Sequence, residues 1–220
     1  MKQILFALFV LSTALISCSK QSTKHGAALP SDYDYYYQGE RVYYEDEVPG
    51  FDYVLISDQL SEKPSYHIFD SYQAAKDFVF QNTQLSELKA DIIHTERLRT
   101  YAESTNEDAY IAEHGTASEG FITYINQNKT RVHPYALFSN PGFAGVSCGV
   151  NIPLAALPVV AGIPMNNNAE SIRNGAPGPI NQSLFDLPGF NPAAGVVFVN
   201  VNNIANLAGI GWTNRASSAD

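Results

Sequence analysis

The final third of the chain repeats itself without a gap at a spacing of 47 residues. Phe138-Ser139-Asn140-Pro141-Gly142-Phe143 returns as Phe185-Asp186-Leu187-Pro188-Gly189-Phe190. Ala161-Gly162-Ile163 returns as Ala208-Gly209-Ile210, and Asn167-Asn168-Ala169-Glu170-Ser171 as Asn214-Arg215-Ala216-Ser217-Ser218. A period of this size means two copies of one supersecondary unit sharing a core. It also sets oxygen-bearing Asn, Glu and Ser side chains at equivalent points of both copies, which makes this stretch the first place to look for function.

Composition changes where the repeat begins. After residue 131, Gly, Pro and Asn become frequent, strands become short and helical periodicity disappears. The β-branched run 196–201 reads as a strand, and residues 132–220 as an all-β domain of short strands and turns. Residues 31–131 read as a small α+β region. In it, 53–56 and 66–69 are β-rich runs joined by a polar turn. Ser71 caps a helix that turns Ala74, Ala75, Phe78 and Val79 to one side. A second helix is expected over 86–103, with Leu88, Ile92 and Tyr101 on one side, and a strand over 120–124. The segment 31–52, which mixes Tyr with Asp and Glu, is expected to be poorly ordered or edge-like.

Charge follows the same division. Of 22 acidic residues, all but Glu170, Asp186 and Asp220 lie between residues 32 and 119, and the chain carries a net charge of −9. That balance argues against binding nucleic acid by phosphate neutralisation. It is compatible with cations, with basic partners, or with simple solubility.

The first residues read as an address. Lys2 is followed by an almost wholly apolar run over 4–16, too short for a bilayer span of roughly 20 residues. It ends in Leu15-Ile16-Ser17-Cys18, which resembles a bacterial lipoprotein box. The resemblance implies a signal peptide over 1–17, cleavage before Cys18, and lipid (palmitate among the acyl chains) on that cysteine and its new amino terminus. The other reading is an ordinary secretory signal. Several acyl chains on one cysteine anchor stably where one would not, so the chain is expected to be tethered to a membrane through a polar segment, 18–30, without spanning it. Ser19 rather than Asp after the cysteine implies, by similarity to enterobacterial sorting, the outer membrane of a bacterial cell envelope. Cys148 is the only other cysteine. It has no internal disulfide partner and reads as a small buried apolar residue.

Within the repeat, Phe138, Phe143 and Gly145 fit an aromatic-x4-aromatic-x-Gly hairpin. Asn166-Asn167-Asn168-Ala169-Glu170-Ser171 and Thr213-Asn214-Arg215-Ala216-Ser217-Ser218 fit (Asn/Asp)-(Asn/Asp)-x-x-(Ser/Thr)-Ser. Together these resemble the βγ-crystallin Greek-key family over residues 132–220. The resemblance implies a sandwich of two four-stranded sheets with strands exchanged between the copies, and it implies calcium. Carried over, one site uses Asn167, the carbonyl of Asn168, and Glu170 in place of a hydroxyl. The other uses Asn214, the carbonyl of Arg215, and Ser217, and each takes a further carbonyl from the partner hairpin. Calcium takes six to eight hard oxygen ligands, and sites built of neutral oxygens are weak. Glu170, Thr213 and Pro192, which stands where the second hairpin's Gly is expected, depart from the pattern, so the two sites should not bind alike. The other reading makes both Asn/Ser segments simple turns.

Enzyme motifs fare poorly. Gly145-Val146-Ser147-Cys148-Gly149 matches the G-x-S-x-G elbow, which needs a helix after it and a later triad His. Pro153 and Pro158 oppose the helix, and the last histidine is His133. His94 with Glu96, and Glu113 with His114, lack the spacing that sets two imidazoles on one helical face. The expectation is a non-enzymatic, calcium-binding, lipid-anchored envelope protein. The alternatives are an exported inhibitor or recognition module acting on a protein or glycan, or an unrecognised hydrolase in 31–131.

Overall fold

The structure is a computed structural model. It describes residues 33–43, 50–128, 134–151, 153–175, 180–207 and 211–220. The expected signal over 1–17, Cys18 and the tether lie outside the described residues, as does the 208–210 echo of Ala161-Gly162-Ile163.

The described residues before 131 supply four strands and four α-helices. The strands are β1 (Asp34–Tyr37), β2 (Glu40–Val42), β3 (Tyr53–Ser57) and β4 (Ser65–Phe69). Within the Tyr-rich segment, residues 34–37 and 40–42 are thus strands, and only β2 is an edge, since β1 pairs with β4 in parallel and with β2 in antiparallel. Helix α1 (Tyr72–Gln81) begins where Ser71 accepts the Ala74 amide at 3.2 Å, as the sequence suggests. Helix α2 (Ser86–Ser104) buries Leu88, Ile92, Leu98 and Ala102. Helix α3 (Glu107–His114) ends at Gly115, whose φ of 71° closes the last turn.

The expected strand over 120–124 is instead part of helix α4 (Glu119–Asn128). Its β-branched and aromatic content suggested a strand, but three contacts favour the helix. Ser118 Oγ accepts the Phe121 amide at 3.2 Å, Phe121 and Ile125 fall on one buried face, and Tyr124 stacks on Tyr101 at 3.9 Å. Glu107 ties this helix start to α3 by accepting from the Ser118 hydroxyl at 2.8 Å.

The chain after residue 134 is all β. It runs through β5 (Tyr135–Asn140), β6 (Ala144–Val150), the two-residue pair β7 (Val159–Val160) and β8 (Ile163–Pro164), β9 (Ser171–Asn174), β10 (Ile180–Phe185), β11 (Val196–Val201), β12 (Asn203–Ile204) and β13 (Ser218–Ala219). One sheet is ordered β12-β9-β5-β6. The strand after the second hairpin, β12, pairs with β9 of the first copy, while Leu154 after the first hairpin bridges Ala219 of the second. Each copy therefore completes the other's sheet, the reciprocal exchange of a Greek-key pair.

The second sheet is larger than the expected four strands. It has seven, ordered β13-β10-β11-β3-β4-β1-β2. The seam is the parallel pairing of β11 with β3, from Val196 opposite Tyr53 to Asn200 opposite Ser57. The change of composition near residue 131 thus falls between regions that share one sheet. One face of that sheet packs through Val54, Ile56, Leu184, Val197 and Val199 against Leu137, Cys148 and Ile172 of the smaller sheet. The other face, with Leu55, Phe69, Phe185 and Phe198, packs against Val79, Leu88, Ile92 and Phe121 of the helices. Strands covered on both faces lose the polar alternation of a half-exposed strand, which is why β3 and β11 read as nearly continuous apolar runs.

Candidate metal centre

The repeated bonds place the Asn/Ser segments. Asn167 and Asn214 both sit in the left-handed region, at φ of 55° and 57°, a conformation that Asn tolerates better than most residues. The Asn167 amide donates to Ala216 O at 2.8 Å and the Asn214 amide to Ala169 O at 3.3 Å, so each segment hangs on the other copy. The Glu170 and Ser217 amides donate to Phe138 O and Phe185 O at 2.8 and 2.7 Å. Behind them, Ser171 and Ser218 hold the hairpins. Each hydroxyl accepts an aromatic amide, Phe143 at 3.1 Å or Phe190 at 3.2 Å, and donates to a carbonyl at 2.8 Å, Asn140 or Leu187. The last Ser of each segment is therefore a staple rather than a ligand, and its repetition was visible in the sequence.

Between the copies, three oxygens converge. The Ser217 hydroxyl lies 2.8 Å from Asp186 O and 3.3 Å from Asn167 Oδ1. Both neighbours are acceptors, and the hydroxyl has one proton to share between them. Asn167 is exposed and Ser217 buried, so the cluster is open to solvent on one side. This grouping crosses the copies: Ser217 meets Asn167, not Asn214. A hairpin carbonyl, an amide oxygen and a hydroxyl are hard oxygen donors of the kind calcium takes, so the residues present fit the ion.

The other expected residues are placed as follows. Asn168 is half-buried, and its amide donates to Met165 O at 3.1 Å. Glu170 is half-buried, and its carbonyl accepts the Leu207 amide at 2.8 Å, as Ser217 O accepts that of Leu157 at 2.9 Å. Its carboxylate thus stands on the backbone position that bears a hydroxyl at Ser217. Asn214 is exposed.

Arg215 has a side-chain role that the sequence did not reveal. Its guanidinium bonds the buried Asp186 carboxylate through Nη2 and Nε at 2.9 and 3.1 Å, pairs with Asp52 at 2.8 Å and lies 4.6 Å from the Trp212 ring centre. The Trp212 indole donates to Phe51 O at 2.6 Å. Asp186 is thus shared, its carbonyl in the oxygen cluster and its carboxylate on Arg215. The missing hairpin Gly also has an explanation. Phe138 faces Ser147, nine residues on, whereas Phe185 faces Val196, eleven residues on. Pro192 starts a short 3₁₀ turn in that longer loop, and Gly195 supplies the open position where a Cβ would lie 2.7 Å from Asp52 O and 2.8 Å from Arg215 Nη2.

The remaining candidates are otherwise engaged. Gly145, Ser147 and Gly149 lie along β6, not at a strand-to-helix turn. His94 is buried on α2, with Nε2 at 2.8 Å from Asn128 O and Nδ1 at 3.6 Å from Asp220. Hydrogen bonding to that carboxylate raises its pKa, against the effect of burial. Glu96 accepts from Lys76 at 2.5 Å, and His114 Nδ1 lies 2.9 Å from Tyr110 O. Burial pushes the Cys148 thiol up. Among the described residues no three His, Cys, Asp or Glu side chains form a metal cluster, and no helix is long and apolar enough to cross a membrane.

No family profile and no curated protein matches the chain. Among solved structures it is similar to a βγ-crystallin from an archaeon, at TM-score 0.34 and 12% identity over 40% of this chain and 96% of that one. It is similar to a βγ-crystallin from Ciona intestinalis, at 0.33 and 19% over 40% and 96%. A third, from work on the evolution of the eye-lens βγ-crystallin domain fold, gives 0.33 and 18% over 41% and 86%. The chain is thus similar to βγ-crystallin domains over about two-fifths of its length, while the Greek-key arrangement rests on its own strand exchange and repeated bonds.

Proposed function

We propose that the Greek-key region binds calcium between its two copies, within a non-enzymatic, lipid-anchored protein of the bacterial envelope whose role is structural or binding. The observation that carries the calcium reading is the convergence of Asn167 Oδ1, Ser217 Oγ and Asp186 O. These would hold the ion, with water completing its six to eight ligands. Bound there, it would supply the positive charge that three mutually facing oxygens lack. Because Arg215 already takes the Asp186 carboxylate, this place has only neutral ligands and binds weakly. The counterpart place with Asn214 has Glu170 available and differs by a full negative charge. The lipoprotein-like Leu15-Ile16-Ser17-Cys18 supports the envelope reading.

The test is a calcium titration of the full chain, followed by heat release and melting. At ten times the dissociation constant, binding to the folded state alone adds about 1.4 kcal/mol, or roughly 3–5 °C in melting temperature for a chain of this size. Asn167→Ala should shrink the calcium-dependent rise in melting temperature, read against the variant's own calcium-free melting point because alanine is strained at φ 55°. A chain indifferent to calcium in the millimolar range overturns the reading.

A further inference from the structure

Sheet edges attract other strands unless something guards them, and the two large sheets end in four edge strands. Three are guarded by brevity: β12 and β13 have two residues each, and β2 has three, with Glu40 and Arg41 exposed. The fourth is β6. It runs seven residues, Ala-Gly-Val-Ser-Cys-Gly-Val, and among the described residues pairs along one side only, with β5. It carries no charge and no proline. Gly145, Ser147 and Gly149 are exposed and Val146 is half-buried. Such a strand is about 23 Å long and offers a row of outward amides and carbonyls. Beside it runs β7, whose Val159, at 67%, is the most exposed large apolar side chain among the described residues. The longest unguarded edge and the most exposed valine thus adjoin.

Charge identifies the occupant. From residue 132 onward Arg173 and Arg215 stand against Glu170, Asp186 and Asp220, so this region is close to neutral while the chain's acidic residues lie mostly between 32 and 119. An acidic or basic strand would find no complementary charge on β6. A second β6 would set only small uncharged side chains opposite its own. Antiparallel pairing of identical strands about a two-fold axis is self-complementary and closed, so it ends at two copies. We infer that β6 is a self-association edge: two chains join β6 to β6 in antiparallel, making one eight-stranded sheet from two four-stranded ones, with Val159 of each chain packed at the margin. This does not depend on calcium.

The experiment is sedimentation of the full chain without calcium, over a concentration series reaching about 1 mM, where small interfaces still associate measurably. The mass should rise from 24.1 kDa toward twice that value. Gly149→Lys and Ser147→Lys put an ammonium on the edge. At Gly149 an added Cβ meets nothing nearer than Asn151 Nδ2 at 4.0 Å, so the fold accommodates it. Val159→Asp charges the margin without touching the pairing of β6 with β5. Each variant should raise the half-association concentration at least tenfold with an unchanged melting point. A wild-type chain that keeps its single-chain mass throughout overturns the inference. So does association that persists in Gly149→Lys, because another surface would then carry it.

Discussion

Mild acid should weaken this protein through His67. The ring lies on β4, is 6% exposed, and stacks between Tyr36 at 4.7 Å and Phe78 at 4.8 Å. Nε2 meets Ser65 Oγ at 3.0 Å, but Nδ1 has no partner among the described residues. A buried imidazole with one orphaned nitrogen resists the charged form, and burial lowers its pKa from 6.5 to about 4. Between those values the unfolded chain binds a proton that the folded chain refuses. Stability is therefore fully present above about pH 6.5 and is lost as pH falls toward 4, by about 3 kcal/mol over the whole window. Between about pH 7 and about pH 5 the loss is about 2 kcal/mol, or about 4–8 °C in melting temperature.

The assay compares thermal melts of the wild type and His67→Phe at both pH values. Phenylalanine keeps the stack, cannot be protonated, and leaves Ser65 Oγ donating to Ser57 O at 3.1 Å. The variant should lose about 2 kcal/mol less than the wild type on acidification. His94, whose raised pKa acts in the opposite sense, is common to both proteins and cancels in the difference. Parallel falls in the two proteins would refute the reasoning.

Further substitutions probe other parts of the structure. Gly142 and Gly189 are repeat equivalents at φ of 68° and 67°, but an added Cβ meets open space at Gly142 and collides with Asp108 Oδ1 at Gly189. Alanine should therefore cost about 1–2 kcal/mol at Gly142, the left-handed penalty alone, and clearly more at Gly189 in denaturant titrations. Gln182, at 1% exposure, has neither amide atom bonded among the described residues. Gln182→Leu should raise stability by about 1–2 kcal/mol in the same titrations, and a loss would show that the amide has a partner. Arg215→Met strips the guanidinium from buried Asp186 and should cost about 3–5 kcal/mol, much of it recovered when Asp186→Asn is added.

The sequence made the Greek-key region legible because its signals are local and occur twice. Phe138, Phe143 and their counterparts, the left-handed Asn167 and Asn214, and the Ser pairs all fall where the repeat sets them. What it concealed depends on contacts between distant segments. The run 120–124 looked like a strand until Ser118 and the Tyr101 ring gave it a helix start and a packing face. The parallel seam of β3 with β11 joins residues 143 positions apart in the chain, and no periodicity announces such a pairing. Asn167 and Ser217 come together only through strand exchange, a meeting that the spacing within either segment does not announce. The guanidinium contacts of Arg215 stayed hidden because nothing in its neighbourhood of sequence announces Asp52 or Asp186.

The shared seven-stranded sheet also orders events in time. During synthesis β3 emerges long before β11 exists, so the amino-terminal strands wait with a bare apolar edge until the chain is nearly finished. Pairings across so many residues close slowly, and a chain with an unpaired strand edge is prone to stray associations in the meantime. On the export route proposed above this delay would be useful, because a chain that cannot finish its sheet early stays threadable through a narrow channel. The same delay means that a truncation ahead of residue 196 removes the partner of β3 and leaves the early half without a finished sheet of its own.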